Sequence, residues 1–263
     1  PMNNELKIGF IGFGNMAQAM AKGLLAMDVC QSSQIFACAA HFDKLQKNTE
    51  ALGVTALQTA AEVAEKTDYV ILAVKPNMIE SVVAPVVDLL QKKVVISVAA
   101  GFDFGRYEEI LKAGTHHIST IPNTPISVGE GIMICEDRHS LSQAELEDFV
   151  RIFGKIALVE MVKPAQLSIA GTLSGCSPAF TAMYLEALAD AGVQYGLTRD
   201  AAYRLGAKMI CGTGKLYLEN GTHPGVMKDA VCSPGGTTIR GVASLEKDGF
   251  RGAVIGAIDA IEG

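Results

Sequence analysis

Two short stretches of the chain hold residue types whose spacing could do chemistry. The first follows an apolar run and reads Gly12-Phe13-Gly14-Asn15-Met16-Ala17, a G-x-G-x-x-A pattern. Gly12 permits a tight turn, Gly14 lets the backbone approach a pyrophosphate, and Ala17 allows a helix to pack closely on a strand. The free N–H groups of that helix start would then hold the anion. The second stretch is Lys228-Asp229-Ala230-Val231-Cys232-Ser233-Pro234-Gly235-Gly236-Thr237-Thr238-Ile239-Arg240-Gly241. It is a loop of small residues feeding a helix, rich in hydroxyls and free backbone N–H groups. Ser233, Gly235, Gly236, Thr237 and Thr238 suit a small carboxylate without an arginine clamp. A plain cap and turn would use the same residue types, so this loop by itself leaves both readings open.

The end of the second expected strand bears on which dinucleotide is bound. Enzymes that use NAD place Asp or Glu there to hold the ribose 2′-hydroxyl. This chain reads Cys38-Ala39-Ala40-His41-Phe42-Asp43-Lys44, with no carboxylate at the strand end and Asp43 expected as a helix cap. His41 and Lys44 could face a 2′-phosphate, which favours NADP(H) and leaves NAD(H) open. The alternative for His41 is a solvated loop position.

These residues need elements to position them. Residues 6–11, 34–39, 69–74 and 94–98 are continuously apolar, as parallel strands buried on both faces should be. Helical patterns occupy 15–26, 43–52, 59–66 and 77–90. Thr59-Ala60-Ala61-Glu62 and Ser142-Gln143-Ala144-Glu145 have the form of capping boxes. Strands alternating with helices imply a parallel sheet with right-handed crossovers. From about Pro164 the pattern is helical throughout. Ser177-Pro178 is expected to open a helix closed by Gly196, and Thr198 to cap a second that ends at Asn220-Gly221. His223-Pro224 should begin a short helix, and the loop 233–236 another. Ala182, Leu185, Ala189 and Gly192 form a small-residue face suited to close helix packing. The expected division is an α/β domain over 1–160 and an all-helical domain over 161–263.

Composition narrows the function classes. The chain has 263 residues, a net charge of −6 and 49% hydrophobic residues, enough for a sizeable core. The acidic balance argues against nucleic-acid partners and against docking on anionic lipid. No apolar run has the ~20 residues that a membrane-spanning helix needs. Residues 1–5 lack a basic region followed by an apolar stretch, so no secretory signal is expected; Pro1 is set aside as a processing remnant. The six cysteines are scattered without a C-x-x-C pair, which fits a cytoplasmic protein without disulfides. His116 and His117 are adjacent, and neighbours on a strand face opposite ways, so no metal site is expected.

The 228–241 segment resembles the signature D-x-V-x-S-P-G-G-T-T-I-x-G of pyrroline-5-carboxylate reductases. Further matches follow in family order: Ile11-Gly12-Phe13-Gly14-Asn15-Met16, Leu72-Ala73-Val74-Lys75-Pro76, Ser97-Val98-Ala99-Ala100-Gly101, Pro122-Asn123-Thr124-Pro125 and Ser174-Gly175 with Pro178-Ala179. Departures occur at Ser119 in place of an arginine, Ile121 in place of a methionine, Cys176-Ser177 in the S-G-S-G-P-A segment, and Ala60 in place of an asparagine. The resemblance implies a Rossmann-like dinucleotide-binding domain followed by an all-α dimerisation domain. It implies hydride transfer from NAD(P)H to 1-pyrroline-5-carboxylate, the last step of proline biosynthesis, in an intertwined homodimer. Residues 12–17 would hold the pyrophosphate, and Lys75, Pro76, Ala99 and Ala100 would line the nicotinamide. The substrate carboxylate would sit on the loop 233–238, with the Thr238 hydroxyl at the ring nitrogen. For Lys75, a turn position with a solvated side chain is the competing reading. Rival functions are a β-hydroxyacid dehydrogenase, which would need a lysine on the helix after Pro178, and a non-catalytic NADP-binding regulator.

Overall fold

The structure, a computed structural model, describes residues 5–263. The expectations for residues 1–4 lie outside that range. The chain divides into two compact units, one ending at Gly175 and the other spanning Cys176–Gly263.

Among the described residues, the first unit has eight strands: β1 (Ile8–Ile11), β2 (Ile35–Cys38), β3 (Thr55–Ala56), β4 (Tyr69–Leu72), β5 (Val94–Ser97), β6 (His116–Pro122), β7 (Gly131–Glu136) and β8 (Ala157–Val162). They form one sheet in the order β3-β2-β1-β4-β5-β6-β7-β8. Only β6 and β7 pair antiparallel. The order reverses beside β1, the arrangement in which open α/β sheets bind ligands at the strands' carboxyl ends. The helices of this unit are α1 (Asn15–Ala26), α2 (Phe42–Glu50), α3 (Ala60–Lys66), α4 (Ile79–Val83), α5 (Val87–Leu90), α6 (Phe104–Ile110), α7 (Gln143–Phe153) and α8 (Leu167–Gly171).

Every residue of β1, β4 and β5 is buried. Strand periodicity sends alternate side chains to opposite faces. Phe10, Tyr69 and Ile71 therefore join a core with Met20, Leu24, Phe149 and Phe153. Ile11, Val70 and Leu72 join a second core with Val63, Ile79, Val83 and Tyr107. The adjacent histidines divide as strand geometry requires. His116 Nδ1 lies 2.6 Å from Glu145 of α7, and His117 Nε2 lies 2.6 Å from Glu108 of α6.

Several expectations need correction. The single helix over 77–90 is instead a 3₁₀ turn, α4, a second 3₁₀ turn Ala84–Val86 and α5. Pro85 is the cause, since it has no N–H to donate and its ring opposes the carbonyl four residues back. Asp43 does not cap α2; His41 occupies the N-cap position, and Asp43 lies inside the first turn. Of the two boxes, Ser142 and Glu145 make both reciprocal bonds. Thr59 accepts from the Glu62 N–H and donates to the Glu62 carboxylate rather than freeing it for the backbone.

The second unit comprises α9 (Ser177–Gln194), α10 (Arg199–Asn220), α11 (Pro224–Ala230), α12 (Thr237–Lys247) and α13 (Phe250–Glu262). Ser177 is the first residue of α9 rather than its cap, because a π-helical turn Thr172–Cys176 precedes it. Pro178 has no N–H for the Ser174 carbonyl four residues earlier. Asn123 Nδ2 donates to that carbonyl at 2.9 Å, while its Oδ1 accepts from the Ile132 N–H. Gly196, at φ +100°, follows the end of α9, the Thr198 side chain accepts from the Ala201 N–H, and Gly221 ends α10 in the left-handed region. The small-residue face brings α9 onto α10. Ala189 is fully buried, and a methyl on Gly206 would lie 2.7 Å from Leu185 Cδ1. No described helix is long and apolar enough to cross a membrane.

Candidate active site

The parallel register aligns Ile11 with Cys38 and Leu72, and Leu72 with Ser97. The segments that leave β1, β2, β4 and β5 therefore emerge along one edge of the sheet. Gly12 takes φ +93°, and its N–H donates to the Cys38 carbonyl at 2.9 Å. A side chain there would sit 2.8 Å from the Ala73 backbone, so both the turn and the close approach require glycine. Gly14 is the N-cap of α1, makes no side-chain cap bond and faces open space. Asn15 is exposed, Met16 half-buried, and Ala17 packs into the core. The start of α1 thus presents uncapped amides at the edge where the topology expects an anion.

The other expected cofactor residues lie on the same edge. His41 is exposed, and its ring makes no capping bond to α2. Lys75 and Pro76 are exposed on the 3₁₀ turn after β4. Ala99 is buried with its N–H 3.3 Å from Ser97 Oγ, and Ala100 is exposed. All ten cofactor-site residues named from the sequence belong to the α/β unit.

The remaining site residues form one turn of the helical unit. The Gly236 N–H donates to the Ser233 carbonyl at 3.0 Å, and Gly235 has φ +69°. With Pro234 in the second position, this is a type II turn, which demands φ > 0 at its third residue. Gly236 is the N-cap of α12 and, like Gly14, carries no side-chain cap. A methyl on it would lie 2.5 Å from Ser233 Oγ. Thr237 and Thr238 open the helix and are exposed. By contrast, α7 and α10 spend first-turn amides on the Ser142 and Thr198 hydroxyls.

Three of the six thiols are held in the protonated form by burial. Burial pushes Cys30 and Cys38 up to about 11 and Cys135 up to about 12, so each stays protonated at neutral pH. Among the described residues, no group of His, Cys, Asp and Glu could hold a metal ion.

Sequence reasoning missed a polar cluster behind Ala99, between β5, β6 and α6. Tyr107 donates to Ser97 Oγ at 2.7 Å, and Thr120 Oγ1 donates to the Ser97 carbonyl. His117, 1% exposed, stacks on Phe104, and its Nδ1 has no partner. Burial holds its pKa below the ordinary value against the opposing pull of Glu108. The buried Glu136 accepts from the Phe104 N–H, and desolvation raises its pKa. Positions 104, 107 and 108 share a helix face and 117 and 119 share a strand face, a signal masked because most of these residues are polar.

Comparison with known proteins bears on both units. Residues 7–101 match the family model described as NADP oxidoreductase, coenzyme F420-dependent, and residues 164–262 match that of pyrroline-5-carboxylate reductase dimerisation. A pyrroline-5-carboxylate reductase of Treponema pallidum is 44% identical over 259 residues, 97% of this chain and 98% of the relative. The solved pyrroline-5-carboxylate reductase of Coxiella burnetii superposes with a TM-score of 0.87 at 31% identity, covering 98% of this chain and 96% of its own. The pyrroline carboxylate reductase of Plasmodium falciparum, solved with NADP bound, gives 0.83 at 29% identity, covering 99% and 97%. With such identity over nearly the full length of both chains, this chain belongs to the pyrroline-5-carboxylate reductase family.

Proposed function

We propose that this chain reduces 1-pyrroline-5-carboxylate to proline with NADPH, the last step of proline biosynthesis, and that two glycine-led helix starts hold the two anionic reactants. The observation that carries this reading is the Ser233-Pro234-Gly235-Gly236 turn opening α12 with uncapped amides, inside the motif that marks the family. The residues present fit a dinucleotide. Gly12 and Gly14 bring backbone to the edge, and amides at Asn15, Met16 and Ala17 face a pyrophosphate. No carboxylate ends β2, and His41 with Lys44 stands where a 2′-phosphate would lie, so NADP(H) is the expected partner; NAD(H) is the weaker one. Lys75, Pro76, Ala99 and Ala100 flank the nicotinamide, and the bound cofactor supplies the hydride.

On the helical unit, the Gly236 amide already serves the turn, so the substrate carboxylate falls to the Thr237 and Thr238 amides and the Ser233 and Thr237 hydroxyls. The Thr238 hydroxyl meets the ring nitrogen. A protonated imine is already electrophilic, so orientation matters more than a strong acid. Orientation of this kind can contribute ~7–11 kcal/mol. No lysine stands on α9, which removes the feature that a β-hydroxyacid dehydrogenase would need. A regulator without catalysis would have no use for the 233–238 turn.

The domain division of this reading is a cofactor domain over 1–160 and a substrate and dimerisation domain over 161–263. The helical unit supports a homodimer: among its apolar side chains only Ala189 and Ala202 are buried, while Leu205, Leu218, Val231 and Ile255 are each more than 60% exposed. The six free cysteines fit the reducing cytoplasm, and the acidic net charge fits the absence of a nucleic-acid partner. Adding 1-pyrroline-5-carboxylate to enzyme and NADPH tests the whole reading. One proline formed per NADPH oxidised is the expected result, and NADPH left intact would overturn it.

A further inference from the structure

Ser97 closes β5 two residues before Ala99, and its hydroxyl oxygen is shared by two donors. The Ala99 N–H reaches it at 3.3 Å and the Tyr107 O–H at 2.7 Å. Ser97 and Tyr107 are each 1% exposed. The rest of the environment fixes this pair. Thr120 Oγ1 donates to the Ser97 carbonyl at 2.8 Å, and the Phe102 N–H donates to the Ala99 carbonyl. Helix α6, which carries Tyr107, is itself tied at several points. Asp103 accepts from the Arg106 N–H, Glu136 accepts from the Phe104 N–H, and Glu108 meets His117. The Tyr107 ring packs 4.4 Å from that of Phe102.

A serine side chain has up to three staggered positions, and its partners help decide among those the backbone allows. The Tyr107 hydroxyl selects the one that presents Oγ to the Ala99 amide. Burial raises the phenol's pKa further above its ordinary value, so it remains a donor at any working pH. We propose that Tyr107 is a positioning residue: acting through Ser97 Oγ, it sets the Ala99–Ala100 turn and hence the nicotinamide placed against that turn. This inference rests on the assignment of Ala99 and Ala100 to the nicotinamide, made under the proposed function.

The test uses the full-length enzyme with Tyr107→Phe, Ser97→Ala, the double variant and Ser97→Thr. NADPH affinity is read by fluorescence titration, and turnover by steady-state kinetics. Tyr107→Phe and Ser97→Ala should each lower kcat about 10-fold, part of the ~10²-fold that a misplacement of ~1 Å costs. NADPH Kd should stay within about twofold, because the pyrophosphate grip is untouched. The double variant should be no slower than Ser97→Ala alone, since both changes act through one oxygen. Ser97→Thr, which keeps that oxygen, should recover most of the turnover. A folded Tyr107→Phe enzyme with normal kcat, or losses that multiply in the double variant, would overturn the relay. Ala100→Leu separates the two levels. If it changes neither Kd nor kcat, the nicotinamide assignment fails; if it impairs the enzyme while Tyr107→Phe does not, only the relay fails.

Discussion

The α/β unit and the helical unit bury apolar surface on different terms. The first has two cores, one on each face of its sheet, with Phe10, Phe149, Phe153 and Tyr107 all but removed from water. The second buries alanines and leaves Met183, Tyr195, Leu205, Leu218 and Ile255 in the open. Yet each presents the same device, a glycine-led helix whose first amides carry no side-chain cap. On the proposed assignment, the first unit holds its anion site with its own core, whereas the second leaves large apolar side chains uncovered, so the position of its turn would depend on a covering subunit.

The sharpest way to break this contrast is a charge on the helical unit. Ile255→Asp would cost within ~0.5 kcal/mol if that face were ordinary solvated surface. If a partner subunit covers it, the cost rises to on the order of 4–5 kcal/mol, and the mass in solution falls to that of one chain. Phe149→Ala should cost about 3–4 kcal/mol by opening a cavity, with the assembly mass unchanged. Denaturant unfolding alongside light scattering distinguishes the two effects.

Smaller effects sharpen the division of labour. If the Thr238 hydroxyl meets the ring nitrogen as proposed, Thr238→Ala removes one hydrogen bond to a charged group, about 1.5–3 kcal/mol, or roughly 10- to 100-fold in turnover. NADPH affinity measured on the same variant should not change. Smallest is the pH effect of His117. Its folded pKa lies below the unfolded value, through burial opposed by Glu108, so the unfolded chain binds the extra proton first. Stability is therefore full above the ordinary histidine value of about 6.5 and falls as pH drops through the folded pKa. Melting temperatures followed across this range should show the decline, and His117→Gln should flatten it.

The fold was legible where a residue's type and its environment agree. Continuous apolar runs marked β1, β2, β4 and β5, because strands buried on both faces have no polar positions. Strand β6 escaped because it carries His, Ser and Thr, and β8 because it is half exposed along its length. The two glycine turns were legible through backbone freedom, which both Gly12 and Gly235 use. What lay hidden was contact across the chain. Nothing in the spacing of Ser97 and Tyr107, or of Asn123 and Ser174, announces bonds that only the sheet and its helices bring about. Pro85 breaks the helix over 77–90 despite a strong apolar pattern, because it lacks an N–H to donate.

The central claim is that the two glycine-led helix starts hold different reactants. Gly236→Ala tests it most directly, because a methyl there would lie 2.5 Å from Ser233 Oγ, forcing that hydroxyl to move, and 3.2 Å from the Ser233 carbonyl oxygen. Titration of NADPH into this variant, with the KM for 1-pyrroline-5-carboxylate measured beside it, reads both sites at once. The expected result is a KM raised about 10-fold or more with NADPH Kd unchanged. Loss of NADPH affinity with a normal KM for the imine would contradict the assignment.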